Sequence, residues 1–258
     1  MDKDEVKVED IIKCGEKFLE TEKQRIEVAK QNGKYYFSRY ESWDICYNKF
    51  MNNESKDVEN LTLHLAFYLA SWGMYRGSTS LLQNNYRIHR KPVEIICEFI
   101  KKNKNDLMEE KFIDWDKIKD LKDELEKCYI NVDVYKITDD SIKGDIKYEL
   151  KKFNFTDTLV TKILLGTTGI VPAYDGNVVA SLKAMNKISK FNEASYDELI
   201  KMYEEKTEDF EELRNSYCEL FKDEREYHKM KCPKMKILDM CLWEYYNDKI
   251  QERKHKKK

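Results

Sequence analysis

The chain has 258 residues, enough for one large domain or two small ones. Its 8 Gly and 3 Pro are too few for the many turns of an all-β protein, and a charged fraction of 37%, mostly Lys and Glu, is typical of exposed helix faces. The net charge of −2 excludes an overall basic character, so any nucleic-acid binding would need a local basic patch.

The N-terminal stretch MDKDEVKVED is acidic and polar, unlike a secretory signal, and no apolar run reaches the length of a membrane-spanning helix. The seven cysteines are odd in number and scattered, with no Cys-x-x-Cys pair, and none pairs with a histidine at zinc-ligand spacing. These features predict reduced thiols in a cytoplasmic protein that has no metal, no cofactor and no membrane partner.

Hydrophobic periodicity predicts helices along nearly the whole chain. The predicted helices cover residues 5–32, 36–51, 56–73, 87–103, 115–131, 139–152, 157–166, 176–187, 196–222 and 233–252. Only YINVDVYKI, residues 129–137, alternates as a short extended segment does. The predicted fold class is therefore all-α, a compact bundle of about ten helices. It forms either one unit over 1–258 or two lobes, about 55–150 and 151–190, with the terminal helices packed around them.

A regular aromatic stripe lies on the second predicted helix. Tyr36, Tyr40, Trp43, Tyr47 and Phe50 are spaced by 4, 3, 4 and 3 residues, which places them on one helix face. Stacking on nucleic-acid bases is one use of such a stripe, but packing in the core is favoured.

Asp175 is the most informative single residue. It precedes the apolar helix 176–187, so its carboxylate is a good N-cap, and Asp175→Asn should then cost no more than about 1 kcal/mol. The preceding layout of a short helix, a turn and a loop bearing Pro172 also suits a carboxylate fixed for chemistry. We expect helices 157–166 and 176–187 to pack as neighbours, with a pocket between this unit and residues 61–83.

The segment PAYDGNV, residues 172–178, followed by an apolar helix, resembles the helix-hairpin-helix DNA glycosylases, the superfamily of endonuclease III and the mismatch adenine glycosylase. The resemblance implies that Asp175 is catalytic. Breaking an N-glycosidic bond develops oxocarbenium charge on the sugar, which a fixed carboxylate stabilises after the base has left the stack.

The resemblance also implies which activity is missing. Bifunctional members carry a nucleophilic lysine 18 residues before the aspartate, where this chain has Asp157; the nearest lysine is Lys162. A carboxylate cannot form a Schiff base, so a monofunctional enzyme without lyase activity is expected. Too few cysteines follow Asp175 for the iron–sulfur cluster of many members.

The chain departs from the family at the DNA-binding hairpin. KFNFT, residues 152–156, replaces the glycine-containing hairpin that normally binds a phosphate, and Lys151 and Lys152 are candidates to compensate by their charge. The turn GMYRGST, residues 73–79, is either an ordinary interhelical loop or the source of wedge residues. The resemblance therefore assigns DNA-binding or wedge roles to Met74, Tyr75, Arg76, Lys151, Lys152, Thr156, Asp157 and Thr158.

The predicted function is that of a monofunctional DNA glycosylase, acting on a damaged or modified base flipped from duplex DNA. The alternatives are a non-catalytic helical nucleic-acid-binding protein and a helical interaction module with a protein partner. The basic tail, residues 253–258, is either solvated or in contact with phosphate.

Overall fold

Helices make up most of the structure, a computed structural model that describes residues 6–52, 57–77, 79–130, 132–138, 147–220 and 231–255. The eleven α-helices within these residues are Val8–Gln31 (α1), Glu41–Met51 (α2), Val58–Ser71 (α3), Arg90–Lys102 (α4), Lys104–Met108 (α5), Trp115–Ile130 (α6), Asp157–Thr167 (α7), Gly176–Ala184 (α8), Glu193–Glu205 (α9), Thr207–Leu220 (α10) and Lys234–His255 (α11). Two short 3₁₀ turns, Ser80–Gln83 and Tyr86–His89, join α3 to α4. The predicted compact helical class is confirmed.

The described part of the predicted helix 139–152 is instead a strand. Asp133–Thr138 (β1) pairs antiparallel with Lys147–Lys152 (β2), and Asp133 lies opposite Lys152. The rest of that prediction, residues 139–146, lies outside the described residues. Large side chains at every second position on both segments favour an extended ribbon over a helix, and the register sets Tyr135 opposite Leu150.

Two other predicted helices have different bounds. The helix predicted over 36–51 begins only at Glu41, so Tyr36 and Tyr40 precede it. The helix predicted over 196–222 is two helices, α9 and α10, separated at Lys206. The break lets the ring of Tyr203 stack on that of Phe210, with centroids 5.0 Å apart.

The centre of the core is formed by α7 and α11. Every residue of α7 from Leu159 to Thr167 is buried, because this helix packs against α2, α3 and α6. Helix α11 lies along α1 and α8 and buries a continuous run from Met235 to Leu242. Helix α7 is apolar on nearly all sides and so has to be surrounded by other helices. Helices α7 and α11 form two walls of the candidate site.

Loop 168–175 runs back along α7, and this changes the expected packing of α8. Thr158 Oγ1 donates a hydrogen bond of 2.9 Å to the carbonyl oxygen of Tyr174, and the backbone N–H of Tyr174 donates one of 2.8 Å to Thr161 Oγ1. Helix α8 packs mainly against α11, instead of pairing with α7 as expected. The loop therefore holds Asp175 between α7 and α11.

Within the described ranges, no helix combines the length and the apolar character needed to cross a bilayer. All seven cysteines are free of disulfide bonds.

Candidate active site

Asp175 is the N-cap of α8. Its Oδ1 accepts hydrogen bonds from the backbone N–H groups of Asn177 (3.0 Å) and Val178 (3.2 Å). These bonds satisfy two donors that the first turn of a helix otherwise leaves unpaired. They also fix the position of the carboxylate, whose second oxygen is turned towards α7.

That second oxygen forms an ion pair with Lys162. The distance from Lys162 Nζ to Asp175 Oδ2 is 3.0 Å, and the two side chains are 5% and 15% exposed. The family spacing of 18 residues between nucleophile and aspartate does not point to Lys162, so this spacing offered no reason to place it beside Asp175. The contact forms because loop 168–175 runs back along α7. One sequence signal was present: a lysine in a helix that is apolar on all sides needs a carboxylate partner.

A second buried ion pair lies beside the first. Lys236 Nζ is 3.2 Å from Asp239 Oδ2, one turn apart on α11, and Asp239 Oδ1 accepts a hydrogen bond of 2.9 Å from the backbone N–H of Ala173. Burial raises the pKa of Asp239, with a further increase from the nearby charge of Asp175, while Lys236 acts in the opposite direction. Two ammonium groups and two carboxylates thus compensate each other in the interior.

A small cavity lies between α3, α7 and α11. Its volume is about 10 Å³, enough for about one water molecule. It is lined by Tyr68, Trp72, Lys162, Leu165, Ala173, Asp175, Lys236, Asp239 and Trp243. A much larger groove, about 1010 Å³, runs between α4 and α6, and Asp175 does not line it.

Two tryptophans and an arginine form the outer side of this cavity. The rings of Trp72 and Trp243 meet edge to face, with centroids 6.2 Å apart. The guanidinium carbon of Arg39 lies 4.5 Å from the Trp72 centroid and 5.0 Å from that of Trp243. Arg39 is exposed, and within the described ranges no carboxylate forms an ion pair with it. Sequence reasoning missed Arg39 and Trp243.

The three predicted residues of the 156–158 segment lie at the start of α7. Thr156 is its N-cap and accepts a hydrogen bond from the backbone N–H of Leu159. Asp157 is half-buried in the first turn, and Thr158 bonds to the carbonyl of Tyr174, the residue before Asp175. Thr158 is thus tied directly to the segment that carries Asp175.

The predicted wedge residues follow α3. Met74 packs against the core, Arg76 is exposed, and the hydroxyl of half-buried Tyr75 lies 2.7 Å from Nε2 of His89. Nδ1 of His89 lies 2.5 Å from the hydroxyl of Tyr129. Burial lowers the pKa of His89 to about 3, so the imidazole is neutral and links the two phenols.

The predicted basic residues Lys151 and Lys152 end strand β2. Lys152 is exposed, and the nearby backbone N–H of Asn154 donates a hydrogen bond of 3.2 Å to Ser80 Oγ, which ties this end of the ribbon to the segment after α3. Helix α11 extends to His255, and residues 256–258 of the basic tail lie outside the described residues.

Comparison of the chain with models of protein families, with curated proteins and with solved structures gives no match. The glycosylase resemblance therefore rests on residues 172–178 and the segments around them.

Proposed function

We propose that this protein is a monofunctional DNA glycosylase that hydrolyses the N-glycosidic bond of a damaged or modified base. The observation that carries the proposal is the placement of Asp175. Its carboxylate is fixed by two backbone amides at the wall of a cavity lined with aromatic rings. A fixed carboxylate in a site with little water is what stabilisation of an oxocarbenium ion requires.

Turnover requires the site to open. The cavity holds about one water, so a flipped base enters only when Trp72 and Trp243 separate. Neither ring is fully buried, and Arg39 lies on their outer side. Opening would break the hydrogen bond from Trp72 to Ser42 and its packing on Tyr40. Such opening on substrate binding would exclude water again once the base is in place.

Lys162 has a defined consequence in this mechanism. Its ammonium group offsets the charge of Asp175 and so reduces the attraction of the carboxylate for a cationic sugar. Removal of the ammonium should leave base release intact or faster, whereas removal of the carboxylate should abolish it.

The test compares Lys162→Met with the double variant Lys162→Met/Asp175→Asn. Asp175→Asn alone would leave the buried ammonium uncompensated, so the double variant separates loss of chemistry from loss of folding. Base release is measured, with the protein in excess, on duplexes that carry deaminated, oxidised, alkylated or mismatched bases. Release by Lys162→Met and none by the double variant supports the proposal. Release by the double variant, or none from any duplex by the unmodified protein, overturns it.

The absence of lyase activity is tested separately. Asp157 occupies the position of the family's nucleophilic lysine, and the amine of Lys162 is held in an ion pair. Borohydride should therefore trap no covalent complex with abasic DNA. An adduct at Lys162 would contradict the monofunctional assignment.

A second candidate function is non-catalytic nucleic-acid binding. The observation in its favour is that both oxygens of Asp175 are already engaged beside a cavity for one water. In that case the Lys162–Asp175 pair is structural, and the chain binds DNA without releasing a base.

A further inference from the structure

The segment between α1 and α2 exposes two aromatic rings. Tyr35 is 86% exposed and Phe37 is 75% exposed, more than any other large hydrophobic side chain in the described ranges. Isolated exposed apolar residues are common, but two adjacent rings with almost no cover form a surface suited to a planar partner. We call residues 34–39 the aromatic loop.

The aromatic loop is held rigidly from its inner side. Glu22, buried on α1, accepts hydrogen bonds from the hydroxyls of Tyr36 (2.9 Å) and Ser38 (2.6 Å). At the two ends, the N–H of Lys34 bonds to the carbonyl of Ala29, and the Ser38 carbonyl accepts from the first residue of α2. Because Tyr36 and Ser38 are held inward, the alternate residues Tyr35, Phe37 and Arg39 face outward.

The two rings lie near each other on the outer side of the loop. Their centroids are 6.5 Å apart, and their planes are inclined by 31°. A planar ring stacked between two others needs about twice the ~3.4 Å spacing of stacked bases. With their faces turned towards each other at this distance, Tyr35 and Phe37 would hold one nucleobase between them.

The charges near the loop favour an anionic partner. Lys34 and Arg39, at its two ends, are both exposed, and neither forms an ion pair with a carboxylate of the described residues. Aromatic rings flanked by cations are the usual components of a surface for unpaired nucleotides, on which bases stack while phosphates meet the cations. Since Arg39 stacks on Trp72 and Trp243, such a strand would end at the rim of the Asp175 cavity.

We propose that the aromatic loop binds an unpaired stretch of a DNA or RNA strand. One base lies between Tyr35 and Phe37, and a neighbouring phosphate lies on Arg39. The inference rests on the proposed function only where it extends the bound strand to the Asp175 cavity. Binding of the strand to the aromatic loop requires no catalysis.

The first experiment measures binding of the full chain to fluorescently labelled single strands of about 20 nucleotides, oligothymidine and oligouridine, and to a blunt duplex of the same length. Fluorescence anisotropy over a range of salt concentrations gives the affinity and its salt dependence. Tighter binding to a single strand than to the duplex is expected. The two single strands distinguish DNA from RNA.

The second experiment removes the rings one at a time. Tyr35→Ala and Phe37→Ala should each weaken single-strand binding about tenfold, since each removes one stacking surface. Phe67→Ala is the matched control, because Phe67 is a 64% exposed ring on α3 outside the loop, and it should leave affinity unchanged. Arg39→Ala should lower the salt slope by about one unit, whereas Arg39→Lys should preserve it.

Several results would overturn the inference. They are single-strand binding too weak to measure at low salt, equal loss of affinity in Phe67→Ala, and no loss in the two loop variants. Self-association of the chain that Tyr35→Ala and Phe37→Ala abolish, without any oligonucleotide binding, would assign the loop to a second copy of this protein instead. Loop-dependent binding without base release would refute the proposed glycosylase and leave this inference standing.

Discussion

The ion pair between Lys162 and Asp175 changes what substitution of the aspartate should do. From capping alone, Asp175→Asn costs no more than about 1 kcal/mol, since an amide oxygen still accepts from backbone N–H groups. With the pair present, the substitution leaves a buried ammonium group without its counter-charge, which costs several times as much.

We therefore expect Asp175→Asn and Lys162→Met each to lower the free energy of unfolding by about 3 kcal/mol. The double variant should lose much less than the sum, because it removes both charges. Urea denaturation of the four proteins measures this coupling. The exposed pair of Lys17 and Asp248 is the control, with an expected coupling below about 1 kcal/mol. Additive losses at 162 and 175 would show that the buried pair does not contribute.

His89 should make stability depend on pH. Burial lowers its pKa to about 3 in the folded state from about 6.5 in the unfolded chain, so between these values the unfolded chain binds more protons. The stabilisation is complete above pH 6.5 and is lost as the pH falls towards 3. From pH 7 to pH 5 the free energy of unfolding should fall by about 2 kcal/mol through this residue.

The measurement is urea denaturation at pH 7, 6 and 5 for the unmodified protein, His89→Gln and His64→Gln. The first variant should remove most of this pH dependence. The second should keep it, since His64 is only half-buried and burial lowers its pKa to a smaller extent. The same pH profile in His89→Gln as in the unmodified protein would contradict the assignment.

Gly166 on α7 lies directly against the ring of Tyr68 on α3. A Cβ built on Gly166 would lie 2.3 Å from a ring carbon of Tyr68, closer than any real contact. Alanine normally favours a helix by about 1 kcal/mol over glycine, but here the ring would have to move within a packed core.

Gly166→Ala should therefore destabilise the protein by about 2 kcal/mol, despite the better helix propensity of alanine. Gly176→Ala, at the start of α8, is the matched control, because a Cβ added there would have no neighbour within 4 Å, and it should be neutral or stabilising by up to about 1 kcal/mol. Thermal unfolding of the two variants measures the difference. Equal midpoints would show that Tyr68 moves freely.

Local patterns predicted the elements that depend on local interactions. A repeat of 3.6 residues is sufficient to identify α1, α3, α6 and α7, and the capping role of Asp175 follows from its neighbours. Only the first strand of the ribbon was anticipated, since the alternation over 129–137 indicated an extended segment and β1 covers 133–138. Residues 147–152 were assigned to a helix, because strand pairing depends on a partner 9 to 19 residues away.

The candidate site could be predicted only in part, for the same reason. Asp175 was identified from its own segment, but its surroundings come from distant parts of the chain. Lys162 reaches it through a returning loop, Trp243 comes from the last helix, and Arg39 comes from a segment predicted to be helical. Contacts between residues so far apart leave no periodic signal in a single sequence.

At the scale of the whole molecule, Arg214 joins three distant segments. It is fully buried on α10, its Nε donates a hydrogen bond of 2.7 Å to the carbonyl of Cys232, and its guanidinium forms ion pairs with Glu110 and Glu211. These contacts hold the start of α11 and the turn after α5 against α10.

Arg214→Lys should lower the free energy of unfolding by about 3 kcal/mol, because an ammonium group cannot reproduce the planar fork that serves three acceptors. Arg87→Lys, at an exposed arginine paired with Glu59, is the control and should cost less than about 1 kcal/mol. Urea denaturation measures both. A small loss at 214 would mean that the two glutamates find other partners.

The contact between Tyr68 and Gly166 also has an evolutionary consequence, because Tyr68 lines the cavity beside Asp175. A side chain larger than hydrogen at position 166 fits without a clash only where position 68 carries a smaller ring than tyrosine or no ring. The two positions should therefore change together among descendants of this chain. Each paired exchange adds side-chain volume at 166 and removes it at 68, so the total volume of the core stays nearly constant. The side chain that lines the cavity becomes smaller. Through that exchange a lineage could enlarge the space beside the aspartate without losing the fold.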